Sequence, residues 1–273
     1  MGVINIKIIE KFIAGKTSDE LCEDSYFSSE DFVVVIDGVT SKSDFTYDGK
    51  TTGKLASDII RGVLEKMNRE DSIDVFLNKV NEQFNDFYKE VEFPYSIKEK
   101  GLQAVCAVYS DYYREIWLIG DCQVSVDGKV YLNPKKSDEI LADMRSLVLH
   151  ILKKENVDWP EAQKRARDII ETWILKANVF ANKAEPPFGY AVINGNEIPD
   201  SLIKIIKLDS NPHEIIFTSD GYPKVKSDLK KSEEYLNTIL EQDKSCYELY
   251  LSTKGINKGQ KSFDDRTYIR FSV

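Results

Sequence analysis

Residues 32–38 read Phe-Val-Val-Val-Ile-Asp-Gly, an apolar and largely β-branched run that ends in an acid and a glycine. A continuous run of this kind is typical of a strand buried on both faces. The same pattern, a buried strand followed by a carboxylate beside a glycine, occurs three times: at Asp37-Gly38, at Gly120-Asp121 and at Asp220-Gly221. A strand end positions an acid rigidly, and the glycine lets a ligand or another backbone segment approach closely.

Two further acidic pairs lie next to predicted strands. Asp264-Asp265 comes directly before the predicted strand Thr267–Ser272, and Glu23-Asp24 precedes another short apolar stretch. Carboxylates that converge at one sheet edge repel one another unless a cation lies between them. Mg²⁺ and Mn²⁺ prefer oxygen ligands, and two such ions about 3.5–4 Å apart can hold a bridging water and bind a phosphoryl group. If these acids meet, they form a two-metal site suited to phosphoryl chemistry.

The remaining elements predict an α+β fold, with two stacked antiparallel β-sheets flanked by helices. Most consecutive strands have hairpin-length links, such as Asp127-Gly128, whereas parallel strands need long crossovers. Apolar spacing predicts helices that include Asp138–Lys154 and Tyr247–Ser252, and a short strand is predicted at Gly189–Ile193. We expect one domain over residues 1–273, with a helical insert at about 137–182.

Composition excludes several classes of protein. The 273 residues include 37 Lys and Arg against 46 Asp and Glu, a net charge of -9, whereas a nucleic-acid binder needs a basic face. Only two histidines are present, so a three-His metal site is impossible. The four cysteines form no C-x-x-C pair, and no apolar run reaches the roughly 18–20 residues of a membrane span. The sequence therefore predicts a cytoplasmic protein with reduced thiols and with no nucleic-acid or membrane partner.

Taken in order, the acidic motifs resemble those of the PPM family of metal-dependent protein phosphatases, the protein phosphatase 2C type. The resemblance extends from about residue 20 to the C-terminus. The motifs that carry it are Glu23-Asp24, Asp37-Gly38, the small-residue segment 51–57, Gly120-Asp121-Cys122, Ser219-Asp220-Gly221 and Asp264-Asp265-Arg266-Thr267.

The resemblance implies direct attack of a metal-activated water on a phosphomonoester, in this case phosphoserine or phosphothreonine of a phosphoprotein. It implies two Mg²⁺ or Mn²⁺ ions and a weaker third. The implied catalytic residues are Asp37, which would bridge both ions, and Asp24, which would hold metal-bound water. The other implied metal ligands are Glu23 near the second ion, the Gly38 carbonyl, Asp121 at the third ion, and Asp220 and Asp264 on one of the first two.

The chain departs from the family pattern at the groups that bind substrate. Asp19 stands where the family usually has an arginine for the phosphate, and Val39 stands where some members have a histidine. Lys16, Lys42 and Arg266 are candidates for the missing positive charge, although each is also explained as an ordinary surface cation.

These departures leave alternatives to the phosphatase hypothesis. A catalytically weak pseudo-phosphatase would keep the fold and act as a signalling module that binds a partner. A haloacid-dehalogenase-type phosphatase would use Asp37 as a nucleophile, but that chemistry needs a second acid at position 39, which is Val39.

Overall fold

The computed structural model describes residues 6–273, and in that range two five-stranded antiparallel sheets pack face to face. The first sheet contains, in spatial order, Ser25–Ser28 (β2), Phe32–Gly38 (β3), Ala104–Ser110 (β4), Glu115–Ile119 (β5) and Lys204–Lys207 (β8). The second contains Lys7–Ala14 (β1), Arg266–Ser272 (β10), Glu214–Thr218 (β9), Gln123–Val126 (β6) and Lys129–Tyr131 (β7). The predicted fold class is confirmed.

Strand β3 shows why its sequence is continuously apolar. Val33 and Val35 point into the core between the sheets, which they share with Phe217 of β9. Val34 and Ile36 point the other way, into a second core under the helices Thr52–Leu64 (α1) and Ile73–Glu90 (α2). Both faces of the strand are therefore excluded from solvent, and its end is fixed by packing from two sides.

The remaining helices cover the second sheet and one end of the sandwich. Helix Leu229–Gln242 (α6) packs on β9 and β10, and Ile97–Lys100 (α3) is a single short turn. Helices Lys136–Lys154 (α4) and Trp159–Lys176 (α5) pack on each other and on Tyr247. No helix within residues 6–273 is long and apolar enough to cross a membrane.

Arg145 attaches α4 to the segment that leads back to β10. The side chain is 2% exposed, and its Nη1 donates hydrogen bonds to the carbonyls of Ser245 (2.8 Å), Cys246 (3.2 Å) and Ser252 (3.1 Å). One guanidinium therefore fixes the path of residues 245–252.

Two local predictions are wrong. The helix predicted at Tyr247–Ser252 is absent, because the Asp243 carboxylate accepts the backbone N–H groups of Glu248 and Leu249, each at 2.8 Å. The chain winds around this carboxylate instead of forming helical hydrogen bonds. The segment Gly189–Ile193 makes only isolated bridges and no strand. By contrast, Asp127-Gly128 forms the predicted turn, with positive φ angles of 49° and 83°.

Candidate active site

Four of the predicted carboxylates line one cavity of about 460 Å³. Asp37 lies at the end of β3, Asp121 follows β5, Asp220 follows β9 and Asp264 precedes β10. Two of these strands belong to each sheet, so the cavity lies at one end of the sandwich, where both sheets end. The sequence pattern of an acid at each strand end therefore identified groups that the fold brings together.

Glycines beside these acids allow the backbone segments to touch. A Cβ on Gly38 would lie 2.4 Å from the carbonyl oxygens of both Glu23 and Gly53. A Cβ on Gly221 would lie 1.9 Å from the carbonyl oxygen of Asp265. Because no side chain fits in either place, the glycines permit the close approach of the acid-bearing segments.

Asp37 and Asp220 form an unsatisfied pair. The Asp220 N–H donates to Asp37 Oδ2 at 3.4 Å, and Asp220 Oδ1 is buried without a hydrogen-bond partner among residues 6–273. Burial and the neighbouring Asp220 charge raise the pKa of Asp37 well above its usual value. Burial and the Asp264 charge likewise raise the pKa of Asp220. The pair therefore favours a bound cation or proton.

Glu23, Asp264 and Asp265 are instead satisfied by Lys16. The Lys16 Nζ lies 3.3 Å from Glu23 Oε2, 3.2 Å from Asp264 Oδ1 and 3.3 Å from Asp265 Oδ2. The pairing of β1 with β10 explains the contact, because Ala14 faces Arg266 in the register and the next residues of each chain segment meet. Lys16 therefore lies among the carboxylates and not on the open surface.

Lys254 pairs with the second oxygen of Asp264. Burial opposes ionisation of Asp264, but the charges of Lys254 and Lys16 outweigh it and lower the pKa of this carboxyl to about 2. On Glu23, Oε1 accepts hydrogen bonds from Thr51 Oγ1 (2.7 Å) and the Ser41 N–H (3.2 Å). Every carboxylate oxygen of Glu23 and Asp264 thus accepts at least one hydrogen bond.

Asp24 does not line the cavity and is instead hydrogen-bonded to β10. Its Oδ2 accepts a hydrogen bond from Thr267 Oγ1 of β10 at 2.8 Å. Burial, to which the charges of Asp265 and Asp264 add, raises the pKa of Asp24 to about 7.

Five cationic residues line the cavity together with the acids: Lys42, Lys100, Lys135, Lys254 and Arg167 of α5. Burial, followed by repulsion from Lys254 and Arg167, lowers the pKa of Lys42 to about 8. Arg167 Nη1 also donates to the Thr253 carbonyl at 2.8 Å, which connects α5 to the Lys254 segment. The sequence predicted Lys42 as a candidate but none of the other four, because none of them lies in a motif near the acids.

The other residues singled out from the sequence have local partners. Arg266 pairs with both oxygens of Glu233 at 2.8 and 3.0 Å and is not among the residues that line the cavity. Asp19 accepts the Gly15 N–H at 3.2 Å. Burial and the nearby Asp138 raise the pKa of Asp121, against the opposing charge of Lys135. All four cysteines are buried and free of disulfides.

The carboxylates at Asp37 and Asp220 fit a divalent ion, whereas those at Glu23 and Asp264 do not. In the part of the chain that the structure describes, no group of three or more His, Cys, Asp and Glu is arranged to hold a metal. Asp37 and Asp220 offer hard oxygen donors, one of them orphaned, with an excess of negative charge. At Glu23 and Asp264 every carboxylate oxygen already accepts a hydrogen bond from a lysine or from a hydroxyl or amide donor, so an ion there would compete with these donors.

No protein-family model and no curated protein matches the chain. Solved structures do match over almost its whole length. The serine/threonine phosphatase PstP/Ppp of Mycobacterium tuberculosis is 13% identical, with a TM-score of 0.50 and 99% of both chains covered. The PstP catalytic domain in complex with two manganese ions is 13% identical, with a TM-score of 0.51, and the match covers 98% of this chain and 99% of that one.

These matches identify an architecture and, at 13% identity, no more than that. They agree with the two five-stranded antiparallel sheets and their flanking helices. The chain therefore has the fold of the PPM-type serine/threonine phosphatases.

Proposed function

We propose that this protein is a metal-dependent phosphatase that hydrolyses phosphomonoesters, with phosphoserine or phosphothreonine of a phosphoprotein as its substrate. The observation that carries the proposal is the Asp37–Asp220 pair, whose buried, unpartnered oxygen belongs to a cavity that five protein cations also line. The negative pair suits a divalent ion, and the cations suit a phosphate dianion. A volume of about 460 Å³ accommodates a phosphorylated side chain.

Asp37 and Asp220 would hold the ion, and the Gly38 carbonyl follows directly on the same strand end. A bound Mg²⁺ or Mn²⁺ supplies Lewis-acid stabilisation of phosphoryl charge and lowers the pKa of water. Asp121 lines the same cavity and would add negative charge to the site. These assignments follow the family resemblance and rest here on the position of each carboxylate at the cavity.

The chain's own cations would bind and orient the phosphate. Lys42 has a pKa of about 8, so it is mostly protonated at neutral pH and can donate to a phosphoryl oxygen. Arg167 and Lys254 line the same cavity and would replace the family's arginine, whose position Asp19 occupies. Asp24 positions β10 through Thr267, and we propose that any role in holding water is secondary.

The decisive experiment measures hydrolysis of p-nitrophenyl phosphate and of a phosphothreonine peptide in Mn²⁺. We expect turnover by the wild type and its loss in Asp220→Ala. Asp143→Ala, which removes an exposed acid of α4, is the matched control and should retain full turnover. Equal turnover by wild type and Asp220→Ala would exclude the proposed site.

A second candidate function is partner binding without catalysis. It is favoured by one specific observation, the two lysines that already occupy Glu23 and Asp264. It predicts that a fluorescent phosphopeptide binds with an affinity that falls in Lys42→Ala, while no phosphate is released at any Mn²⁺ concentration.

A further inference from the structure

We propose that Lys16 is a resident cation that takes the place of one divalent ion, so that the site binds a single Mg²⁺ or Mn²⁺ at Asp37 and Asp220. This inference rests on the proposed metal dependence and specifies its stoichiometry. Under this inference Glu23 needs no metal ion, because Lys16 already neutralises its charge.

The contacts of Lys16 are those of a built-in counterion. Its ammonium group lies 3.2–3.3 Å from one oxygen each of Glu23, Asp264 and Asp265, and it donates to Thr40 Oγ1 at 3.0 Å. Three acids and a hydroxyl therefore surround a group whose side chain is only 15% exposed. Few surface lysines have such an environment, because long side chains normally keep their charged ends in water.

The backbone of Lys16 is also fixed, so the ammonium group cannot leave by a simple loop movement. The Lys16 N–H donates to Asp265 Oδ1 at 2.7 Å, and the Lys16 carbonyl accepts the Lys261 N–H at 2.7 Å. Glu23 is held by the same carboxylate, because its N–H donates to Asp265 Oδ2 at 3.0 Å. Asp265 thus aligns the lysine with the acid that it neutralises.

An ion at Glu23 and Asp264 would need free oxygen lone pairs at about 2.0–2.6 Å. All four oxygens of these two carboxylates already accept hydrogen bonds, from Lys16, Lys254, Thr51 and neighbouring N–H groups. An ion bound there would also be repelled by the nearby Lys16 ammonium group.

Asp37 and Asp220 differ in each of these respects. Among the described residues no ammonium group is hydrogen-bonded to either carboxylate, and Asp220 Oδ1 has no partner. Within residues 6–273, Asp37 and Asp220 are therefore carboxylates of the site that no lysine neutralises by direct contact. One ion can be accommodated there without displacing any protein cation.

The test counts Mn²⁺ ions by calorimetry and observes their coupling by electron paramagnetic resonance. We expect about one ion per wild-type chain, with the spectrum of an isolated ion. Lys16→Met should bind about two and show a coupled pair, because Glu23 loses its only lysine partner and Asp264 keeps one of its two. Lys16→Arg retains the charge and should remain at one ion. Lys230→Met, which removes a lysine that is 84% exposed on α6, is the matched surface control and should also remain at one.

Two ions in the wild type, or a single ion in Lys16→Met, overturns the inference. If Lys16→Met does not fold, judged by circular dichroism, the wild-type count and spectrum still decide. A wild type that takes up no ion refutes both this inference and the proposed function. The correct ion counts without turnover of any phosphomonoester refute the proposed function alone.

Discussion

Asp24→Asn should stabilise the metal-free protein at alkaline pH and much less at acid pH. Asp24 is 1% exposed, and burial raises its pKa from 3.8 to about 7, with Asp265 and Asp264 adding to the effect. Asparagine has the same shape and retains an oxygen that can accept the Thr267 hydroxyl at 2.8 Å. The substitution therefore removes a charge from the interior with little change in packing.

Proton linkage gives the sign and the size of this change in the free energy of unfolding. When folding raises the pKa of a carboxyl, the folded protein holds the proton more tightly than the unfolded chain does. The resulting stability is fully present below the pKa of the unfolded state, and it is lost as pH rises through the pKa of the folded state. A tenfold difference in acid dissociation constant between the folded and unfolded states is worth about 1.4 kcal/mol. The rise in the pKa of Asp24 from 3.8 to about 7 gives a total loss of about 4 kcal/mol, of which about 1 kcal/mol has occurred by about pH 4.5. Asparagine does not ionise, so the variant gains about 3 kcal/mol on the wild type between about pH 4.5 and about pH 8.5.

Urea unfolding followed by tryptophan fluorescence, with a chelator present, measures this difference at both pH values. Any pH-independent cost of asparagine cancels in the comparison. Asp71→Asn is the control, because its hydrogen bond to Lys79 at 2.6 Å lowers the pKa of Asp71, so its effect should be nearly equal at the two pH values. A free-energy difference between Asp24→Asn and wild type that stays constant to within about 0.5 kcal/mol would refute the assigned burial cost.

Three further outcomes follow from the same structure. Trp117 is fully buried between the rings of Phe32 and Phe76, at centroid distances of 6.3 and 6.2 Å, so Trp117→Ala should lower the free energy of unfolding by about 3–5 kcal/mol in urea. The kcat/KM for a phosphomonoester should fall as pH rises through about 8, because Lys42 loses its proton, and Lys42→Arg should extend the plateau to higher pH. Arg145→Lys should destabilise the fold by about 1–3 kcal/mol and increase amide exchange in residues 245–252, because the lysine nitrogen ends one bond short of the position from which Nη1 contacts the three carbonyls. An unchanged exchange rate there would show that other contacts fix the segment.

The strands and their acids could be predicted because the information is local. The apolar run at 32–38 identifies a strand buried on both faces, and the acid and glycine at its end belong to the same run. The convergence of Asp37, Asp121, Asp220 and Asp264 follows once the strands are stacked, since each acid adjoins a strand end.

Lys16 and Lys42 were candidates from the sequence, but Arg167 and Lys254 could not be predicted, because their positions depend on contacts distant in sequence. Arg167 lies on α5, which packs with α4 on the segment near Tyr247, and that segment is shaped by Asp243. The wrong helix prediction for 247–252 has the same origin, since a single carboxylate outcompetes local helix propensity. Lys254 follows this segment directly and carries no sequence pattern of its own.

The strand pairing that places Lys16 also neutralises part of the negative charge of the site. Lys16 follows β1, while Asp264 and Asp265 precede β10, and these terminal strands pair with Ala14 opposite Arg266. The pairing that completes the second sheet therefore also brings an ammonium group to the acids that would otherwise repel one another. Repulsion at this end of the site is relieved by folding itself, whereas at Asp37 and Asp220 it persists until a cation arrives. A chain arranged in this way can fold without metal, and the proposed single ion would then report on one carboxylate pair alone.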